Sequence, residues 1–507
     1  MSGETIVPER GIAADERTVA VSEAPVEPHP RRWAALVVIS IAQLMVVLDA
    51  TIVNIALPQA QRDLGITDVD RQWVVTAYTL TFGGLLLLGG RIADYWGRKR
   101  TFLVGAIGFA VASALGGAAN GGSVLFAARA LQGVFGALLA PAGLALMTVL
   151  FIEAKERAKA FGVFGAIAGG GSAVGLLLGG VLTEYANWRW CLLVNIPVAL
   201  VALALAIPLV PESRAHGNTR YDVPGAVLAT AGLVSVVYGF TKAATDGWSA
   251  PATMAFVAAG VVLLVAFVLV EIRSENPLLP MRILLDRNRG GAFLASVLTG
   301  AGLFGAFLFL IYYFQVVLGY TPLQAGVACL PITAGVLVAA GLATGLMPRI
   351  GPKPLMVAGS LTAASSMFYL TQVGVTSSYA VHVLPAALVL GFGLGLTFVP
   401  LSNLALIGVP DHDAGAASAT LNATQQVGAS LGTALLNTIY ATAVTGYLAT
   451  HAVAGSAGQL EGLVHGYTTA FAWGGGLLLA SAVVIAVLLK VHREDLPAAE
   501  LVAAPAG

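Results

Sequence analysis

Residues 39–57 read ISIAQLMVVLDATIVNIAL, a stretch long and apolar enough to cross a membrane as a helix, with one carboxylate, Asp49, inside it. A charged side chain at that depth costs roughly 2.5–3.5 kcal/mol on insertion scales, so it usually faces a pathway or a partner rather than lipid. We therefore predict that Asp49 binds and releases a proton. The alternative is a structural carboxylate, paired permanently with a neighbouring hydroxyl or arginine, and the sequence leaves it open.

Apolar stretches of this kind recur along nearly the whole chain. Of its 507 residues, 57% are hydrophobic and only 10% are charged, whereas an ordinary soluble domain has roughly 25% charged residues. The sequence therefore predicts an all-α, polytopic membrane protein that is embedded in a lipid bilayer. Nothing in its composition indicates nucleic-acid binding.

Hydropathy predicts fourteen membrane spans. Their expected ranges are 34–58, 73–90, 101–119, 123–149, 161–184, 191–210, 223–242, 252–271, 291–316, 323–346, 354–373, 380–403, 415–440 and 468–490. Lys and Arg concentrate at one end of these spans, in the segments 31–32, 91–100, 155–159, 214–220, 273–289, 349–353 and 490–493. Because cytoplasmic loops are enriched in basic residues, we expect both termini to be cytoplasmic and the protein to lie in the plasma (inner) membrane.

A faint internal repeat predicts two halves. Gly97 and Lys99, after the second span, align with Gly351 and Lys353, after the tenth. We expect two six-helix bundles, at 31–210 and 273–490, separated by a linker with two extra spans at 211–272. Tails at 1–30 and 491–507 are expected to be cytoplasmic, the first of them disordered. Repeated halves are typical of carriers that bind substrate at the bilayer midplane.

The turn Gly90-Arg-Ile-Ala-Asp94-Tyr-Trp-Gly97-Arg98-Lys-Arg resembles the signature of the major facilitator superfamily. Three stretches, at 48–58, 128–133 and 175–180, resemble the fourteen-helix drug:proton antiporter family, and residues 188–197 do so as well. The antiporter signature in span five normally has proline after its first glycine, where this chain has Leu176. The likeness covers residues from about 34 to 490.

This resemblance implies a proton-coupled antiporter that exports hydrophobic or monocationic small molecules by alternating access. We expect no enzymatic activity, no metal and no cofactor, with the proton gradient as the energy source and the chain acting as a monomer. No Gly-x-x-x-x-Gly-Lys-Ser/Thr loop occurs, so ATP is not expected to drive it. An uptake symporter on the same fold, or a membrane-embedded sensor that moves nothing, remains an alternative.

Arg129 is the second charge predicted inside a span. Gln132 and Gly133 follow it at helical spacing, which predicts a polar face on span four. Arginine stays charged at any accessible pH, so it can influence a nearby acid without carrying the proton itself. The antiporter resemblance implies that role for Arg129, while a structural tie between helices is the alternative.

Two glycine-containing segments are predicted to act in gating. In the turn after span two, Gly90, Asp94, Gly97 and Arg98 are expected to form a latch between the two halves. In span five, Gly171, Gly175 and Gly179 recur every fourth residue and expose backbone for close helix packing. We expect that ridge to lie at the interface between the halves.

Substrate contacts are predicted on spans four, nine and thirteen. Aromatic and amide side chains can enclose a hydrophobic or cationic solute. The candidates are Gln132, Phe307, Tyr312, Tyr313, Gln315, Asn422, Gln425 and Gln426. Lipid-facing packing, or hydrogen bonds between helices, are the alternatives for these positions.

Asp49 is the one carboxylate that we place in the middle of the membrane. This predicts that few protons are coupled to each transport step. A proton crossing about 100 mV yields roughly 2.3 kcal/mol, and one unit of pH gradient adds about 1.4 kcal/mol. For a monovalent cation exchanged one for one with a proton, the voltage contribution cancels. We therefore expect neutral and singly charged amphiphiles to be exported and dications to be exported poorly. Transport of a dication and its monovalent analogue in the same vesicles checks this, and equal export of both would refute it.

Overall fold

The computed structural model describes residues 30–151, 153–214, 222–274, 277–279, 281–406, 411–451 and 456–491. Helices and short connections form this part of the chain, and no strand occurs in it. Thirteen of its helices are long and apolar enough to cross a membrane, and the less apolar helix Pro352–Leu370, of 19 residues, occupies the place of the predicted span 354–373. The prediction of an all-α polytopic membrane protein is therefore confirmed. The predicted tails, 1–30 and 491–507, lie almost wholly outside the described residues.

The first bundle contains six membrane helices. They are α1 (Arg32–Leu64), α2 (Trp73–Trp96), α3 (Arg98–Gly117), α4 (Gly122–Leu150), α5 (Ala154–Tyr185) and, after the short α6 (Trp190–Leu193), α7 (Asn195–Leu209). α2 and α3 both pack on α4, while α1 packs on α5 and α7. Two further membrane helices, α8 (Val223–Asp246) and α9 (Pro251–Arg273), and the short α10 (Met281–Leu284) come next.

The second bundle repeats this packing order. Its helices are α11 (Arg287–Tyr312), α12 (Pro322–Ile350), α13 (Pro352–Leu370), α14 (Leu384–Leu406), α15 (Asp411–Thr450) and α16 (Ser456–Leu488). α12 and α13 pack on α14, and α11 packs on α15 and α16. Between the bundles, α2 packs on α15 and α5 packs on α12. Each seam pairs the second helix of one bundle with the fifth helix of the other, so a two-fold pseudosymmetry relates the bundles.

α8 covers only one of the two seams, because it packs on α2 and α15. α9 packs on α8 and buries little of its surface. We call the end of the bundles where α1 begins the basic face, since it carries most Lys and Arg, and the other end the opposite face. On the basic face, Glu156 accepts two 2.8 Å hydrogen bonds from Arg32, which hold the pKa of Glu156 below its usual value.

Several helices extend beyond their predicted ends. α1 continues past Pro58 to Leu64, and residues 441–450 and 456–467, expected in a loop, belong to α15 and α16. A hydropathy window ends where polar residues begin, whereas the backbone hydrogen-bond ladder can continue through them. Helices α11 and α14 each adjoin one π-helical turn, at Tyr313–Val317 and Tyr379–Val383.

The prediction that the glycine ridge lies between the two halves is wrong. A Cβ added at Gly175 would lie 2.0 Å from Thr51 Oγ1, and the neighbours of Gly171 and Gly179 also belong to α1. The ridge therefore binds α5 to α1 within the first bundle. Small residues on a helix predict a close neighbour, but their spacing cannot tell which helix that neighbour is.

A different pair of glycines marks the seam of α5 with α12. An added Cβ at Gly180 would lie 2.6 Å from Leu323 Cα, and one at Gly326 would lie 2.5 Å from the carbonyl oxygen of Leu176. Leu176, the residue at the position where the antiporter signature has proline, is therefore buried against the second bundle. Backbone contact at this seam requires glycine on both sides.

The α2–α4 contact offers a sharp test of the packing. A Cβ at Gly89 would lie 1.9 Å from the carbonyl oxygen of Ala137, whereas one at Gly90 would meet only Pro141 Cβ, at 3.6 Å. We expect Gly89→Ala to destabilise the protein by about 1–3 kcal/mol, since the helices must separate, and Gly90→Ala to behave like the wild type. Thermal unfolding of the purified variants in one detergent measures this. Equal melting temperatures for the two variants would contradict the described packing.

Candidate functional site

Asp49 lies at the centre of a buried polar network in the first bundle. Its side chain is fully buried. Oδ2 accepts a 2.6 Å hydrogen bond from Arg129 Nη1, and Oδ1 accepts hydrogen bonds from Gln132 Nε2 at 2.9 Å and Asn195 Nδ2 at 2.8 Å. The carboxylate of α1 is thus held by donors from α4 and α7.

Arg129 connects this carboxylate to α2. Its Nε donates to the carbonyl oxygen of Val74 at 2.9 Å, and its guanidinium carbon lies 4.5 Å from the ring centroid of Tyr78. Nη1 also donates to Gln132 Oε1 at 2.7 Å. A single buried cation therefore touches three helices of the first bundle, which makes it sensitive to any change of charge on Asp49.

Ser113 of α3 completes the network. Its Oγ accepts hydrogen bonds from Gln132 Nε2 at 2.7 Å and Asn195 Nδ2 at 3.3 Å. The two charges cancel, and removing either one would leave the other unpaired at membrane depth. Sequence reasoning missed Ser113 and Asn195 as members of the site, although each is a polar residue within an apolar span.

In this conformation Asp49 faces a partner, Arg129, rather than an open pathway, which is one of the two outcomes expected from its depth. This contact is also the one that the structural alternative requires. All three hydrogen bonds to the carboxylate come from side chains of the same bundle. Its role as a proton carrier stays a prediction, and so does the coupling role of Arg129.

A second buried cation, Arg71, closes the opposite face between the bundles. It lies in a 3₁₀ turn before α2, with a side chain only 1% exposed. Its Nε donates to Asn437 Oδ1 of α15 at 3.3 Å, and its guanidinium carbon lies 4.1 Å and 4.6 Å from the ring centroids of Tyr312 and Tyr440. Asp68 Oδ1, on its own bundle, is 3.5 Å from Nη1.

Further contacts across this closure come from two predicted substrate residues. Tyr312 Oη donates to Gln61 Oε1 at 2.5 Å, and Gln315 Nε2 donates to the carbonyl oxygen of Ile55 at 2.9 Å. Both residues of the second bundle therefore bind α1. In this conformation they belong to the end at which the two bundles meet and do not line an open substrate space.

The other aromatic candidates pack inside the second bundle. Tyr313 is buried and its hydroxyl donates to the carbonyl oxygen of Gly374 at 2.8 Å, while Phe307 is half-buried against the apolar core. Gln132 belongs to the Asp49 network, as described above. These positions are not brought together with the amides of α15.

Two of the three predicted amides on α15 line a cavity of about 130 Å³. Asn422 and Gln425 do so, whereas Gln426 packs toward α2. A Cβ added at Gly83 of α2 would lie 2.8 Å from the Cβ of Gln426. The cavity is lined by Ser296, Phe398, Leu401, Ser402, Ser418, Leu421, Asn422 and Gln425. Sequence reasoning missed the contribution of α14, which Ser402 signals as a polar residue in an apolar span.

The expected latch after α2 forms its ion pair but does not join the halves. Arg98 Nη2 lies 2.8 Å from Asp94 Oδ1, one helical turn away. Gly97 has φ +128°, a backbone conformation that favours glycine. A Cβ added there would lie 2.7 Å from Oε1 of Glu212, a residue just past the end of α7. The turn is therefore tied to the first bundle and to the segment that follows α7.

The bundles part on the basic face along the seam of α5 and α12. A Cβ added at Gly162, Gly165 or Gly170 of α5, or at Gly341 or Gly345 of α12, would meet nothing within 4 Å. At the other end of the same helices, Gly180 and Gly326 make the backbone contacts described above. This conformation is thus closed on the opposite face and open on the basic face.

Two six-helix bundles, closed at one end and parted at the other, are the architecture of a membrane transporter. The chain belongs to the Major Facilitator Superfamily, whose family model matches residues 39–433. Two solved structures share this fold at 15% identity. One is an auto-inhibited POT family peptide transporter, with a TM-score of 0.66 over 92% of this chain and 99% of that one. The other is the inward-open xylose transporter XylE from E. coli, with a TM-score of 0.58 over 92% of this chain and 98% of that one.

Closer relatives of this chain carry names that refer to antibiotics. The puromycin resistance protein pur8 of Streptomyces alboniger is 52% identical over 484 residues, which cover 94% of this chain and 96% of that protein. The cephamycin export protein CmcT of Amycolatopsis lactamdurans is 38% identical, with 96% and 97% covered. The multidrug efflux pump LfrA of Mycolicibacterium smegmatis is 35% identical, with 81% of each chain covered.

The Arg71 closure can be tested directly. We expect Arg71→Met to open the opposite face, because it removes a hydrogen bond and two ring contacts together worth about 1–2 kcal/mol. This loss lowers the ratio of closed to open protein by roughly 5- to 30-fold. Spin labels at Arg62 and Gln324, exposed on the two bundles, should report longer distances.

Arg189→Met is the matched control for this measurement. Arg189 lies on the same face, but it binds Asp63 and the carbonyl oxygens of Gly117 and Ala119, all within the first bundle. Its removal should leave the distances between the bundles unchanged. If both variants lengthen them equally, Arg71 has no special part in the closure.

Proposed function

We propose that this protein exports hydrophobic or monocationic, antibiotic-like molecules across a plasma membrane in exchange for protons. Its relatives are named for puromycin resistance, cephamycin export and multidrug efflux, which supports the substrate class and the direction. The buried Asp49–Arg129 pair carries the proposal of proton coupling. In this proposal the basic face is cytoplasmic, and the chain works as a monomer without ATP or a cofactor.

The proton step would act through the partners of Asp49. Protonation removes the negative charge that holds Arg129 Nη1 at 2.6 Å, and an uncompensated guanidinium at membrane depth must find a new partner or water. Arg129 also holds α2 through Val74 and Tyr78. A change of charge on α1 would therefore alter the packing of α2, the helix that forms one seam with the second bundle.

The cavity beside α15 would receive part of the substrate. Its volume of about 130 Å³ is smaller than the roughly 300–1,000 Å³ of pockets for drug-sized ligands, so it suits one group of a larger molecule. The amides of Asn422 and Gln425 can donate and accept hydrogen bonds, and Phe398 offers a ring face. The eight described residues that line this cavity are all uncharged, which suits a neutral or weakly charged solute.

Asp49→Asn tests the proton step in reconstituted vesicles. We expect gradient-driven accumulation of substrate to fail, because the amide cannot change its charge, while exchange of labelled for unlabelled substrate continues. Asp49→Glu keeps a titratable group and should retain some pumping. Asp63→Asn, on the same helix but half-exposed and paired with Arg189 on the opposite face, is the control and should pump normally. Normal pumping by Asp49→Asn would move the proton site elsewhere.

The pH change on adding substrate to everted vesicles distinguishes antiport from its rivals. With an acidic lumen, exchange alkalinises the lumen as substrate enters, and this is the expected result. An uptake symporter would bind proton and substrate together, so substrate entering such vesicles would not draw protons out. A membrane-embedded sensor would bind substrate without any gradient-driven flux.

A further inference from the structure

Two buried carboxyl groups meet on the basic face, at the base of the extra helices. Asp222 immediately precedes α8, where its Oδ1 accepts a 2.8 Å hydrogen bond from the backbone N–H of Gly225. Glu271 lies in the last turn of α9, and its Oε2 accepts a 3.1 Å hydrogen bond from the backbone N–H of Leu279. The two residues are only 8% and 2% exposed.

The other oxygen of each carboxyl group has no hydrogen-bond partner in the described part of the chain. These atoms are Asp222 Oδ2 and Glu271 Oε1. A Cβ added at Gly225 would lie 2.9 Å from the first and 2.7 Å from the second. Both oxygens therefore converge on the same small space, which the missing side chain of Gly225 leaves free.

Among the residues that the structure describes, the surrounding elements offer these carboxyl groups backbone donors rather than cations. The segment 277–279, which leads from α9 toward α10, contributes Pro, Leu and Leu. Arg91 of α2 uses its Nη2 on the carbonyl oxygen of Pro277, at 3.2 Å, and Arg273, at the end of α9, is exposed. Two negative charges confined here would repel each other in a poorly hydrated site.

A proton held between the two free oxygens would give both of them a hydrogen-bond partner and would remove the repulsion between two negative charges. One carboxyl group then donates an O–H to the other, both oxygens are satisfied, and the pair carries a single charge. A metal ion fits the site less well, since Ca²⁺ or Mg²⁺ would need about six oxygen ligands and the outer oxygens already accept backbone N–H groups.

We propose that Asp222 and Glu271 form a second proton-binding site, in which one shared proton fastens the segment 277–279 to the base of α8 and α9. With the proton bound, Glu271 stays in place to accept from Leu279. When the proton leaves, repulsion drives the carboxylates apart and loosens this segment. The carbonyl oxygen of Pro277, in the same segment, accepts a hydrogen bond from Arg91 of α2. A change of pH at this site would therefore affect the connection between the extra helices and the second bundle.

A reporter thiol at Leu278 tests the proposal. Leu278 is 4% exposed, and the natural cysteines, Cys191 and Cys329, are buried. The alkylation rate of Leu278→Cys should rise about tenfold between roughly pH 6 and pH 9, relative to that of Leu285→Cys. Leu285 is exposed and directly follows α10, so this ratio cancels the effect of thiol ionisation. That factor corresponds to about 1.4 kcal/mol of carboxylate repulsion. A pH-independent ratio would overturn the proposal.

Variants of the pair identify the groups responsible. Glu271→Gln supplies a permanent amide donor in place of the shared proton and should keep the ratio low at every pH, as should Asp222→Asn, which can still cap α8. Asp286→Asn is the matched control: Asp286 caps α11 in the same way, through Arg289 N at 2.9 Å, but is exposed. It should leave the pH response intact. An unchanged response in Glu271→Gln, or its loss in Asp286→Asn, would contradict the assignment.

Infrared spectroscopy of the purified protein gives an independent measurement. A protonated-carboxyl band should be present near neutral pH and absent in Glu271→Gln. Its absence from the wild-type protein would overturn the proposal. Neither experiment requires a transported substrate, so failure of this proposal is distinguishable from failure of the proposed export.

Discussion

The contact between Asp49 and Arg129 is the constraint on which the first bundle depends. Neither charge could be buried alone in a membrane without a cost of several kcal/mol, and the pair is tolerable only because amide and hydroxyl groups satisfy its remaining hydrogen-bonding capacity. Gln132 and Asn195 fill that role. The polar residues of α3, α4 and α7 are therefore parts of one arrangement that allows a carboxylate to lie in α1 at this depth.

The two buried arginines are held in different ways, and the difference suits different tasks. Arg129 has a full carboxylate partner within its own bundle, at 2.6 Å, so separating them creates two unpaired charges. Arg71 reaches the second bundle through ring faces and a 3.3 Å hydrogen bond to Asn437. Its cross-bundle partners are neutral and can turn to water once the face opens. A closure that must break in every cycle is better made from such contacts than from a buried ion pair.

The sequence was sufficient for the membrane helices and for the two charges at mid-membrane, because hydropathy and an interrupted apolar run are local signals. It did not indicate that Asp49 and Arg129 meet. These residues lie 80 positions apart in the chain, and contact between their helices depends on how each helix is rotated about its axis. The same limit explains Gly175, which packs on α1 rather than on the second bundle. Tyr312 directly precedes a π turn and Gln315 lies within it, and there helical spacing no longer gives the direction of a side chain.

In the proposed cycle, the position of Arg129 explains how one proton could act across two bundles. The guanidinium divides its donors between Asp49 and the backbone of α2, so loss of the carboxylate charge changes the balance between these two attachments. α2 meets α15 where Gly83 faces Gln426. Gln426 directly follows the cavity residue Gln425 and lies about one helical turn beyond the cavity residue Asn422. A shift of α2 would thus be felt where the substrate binds.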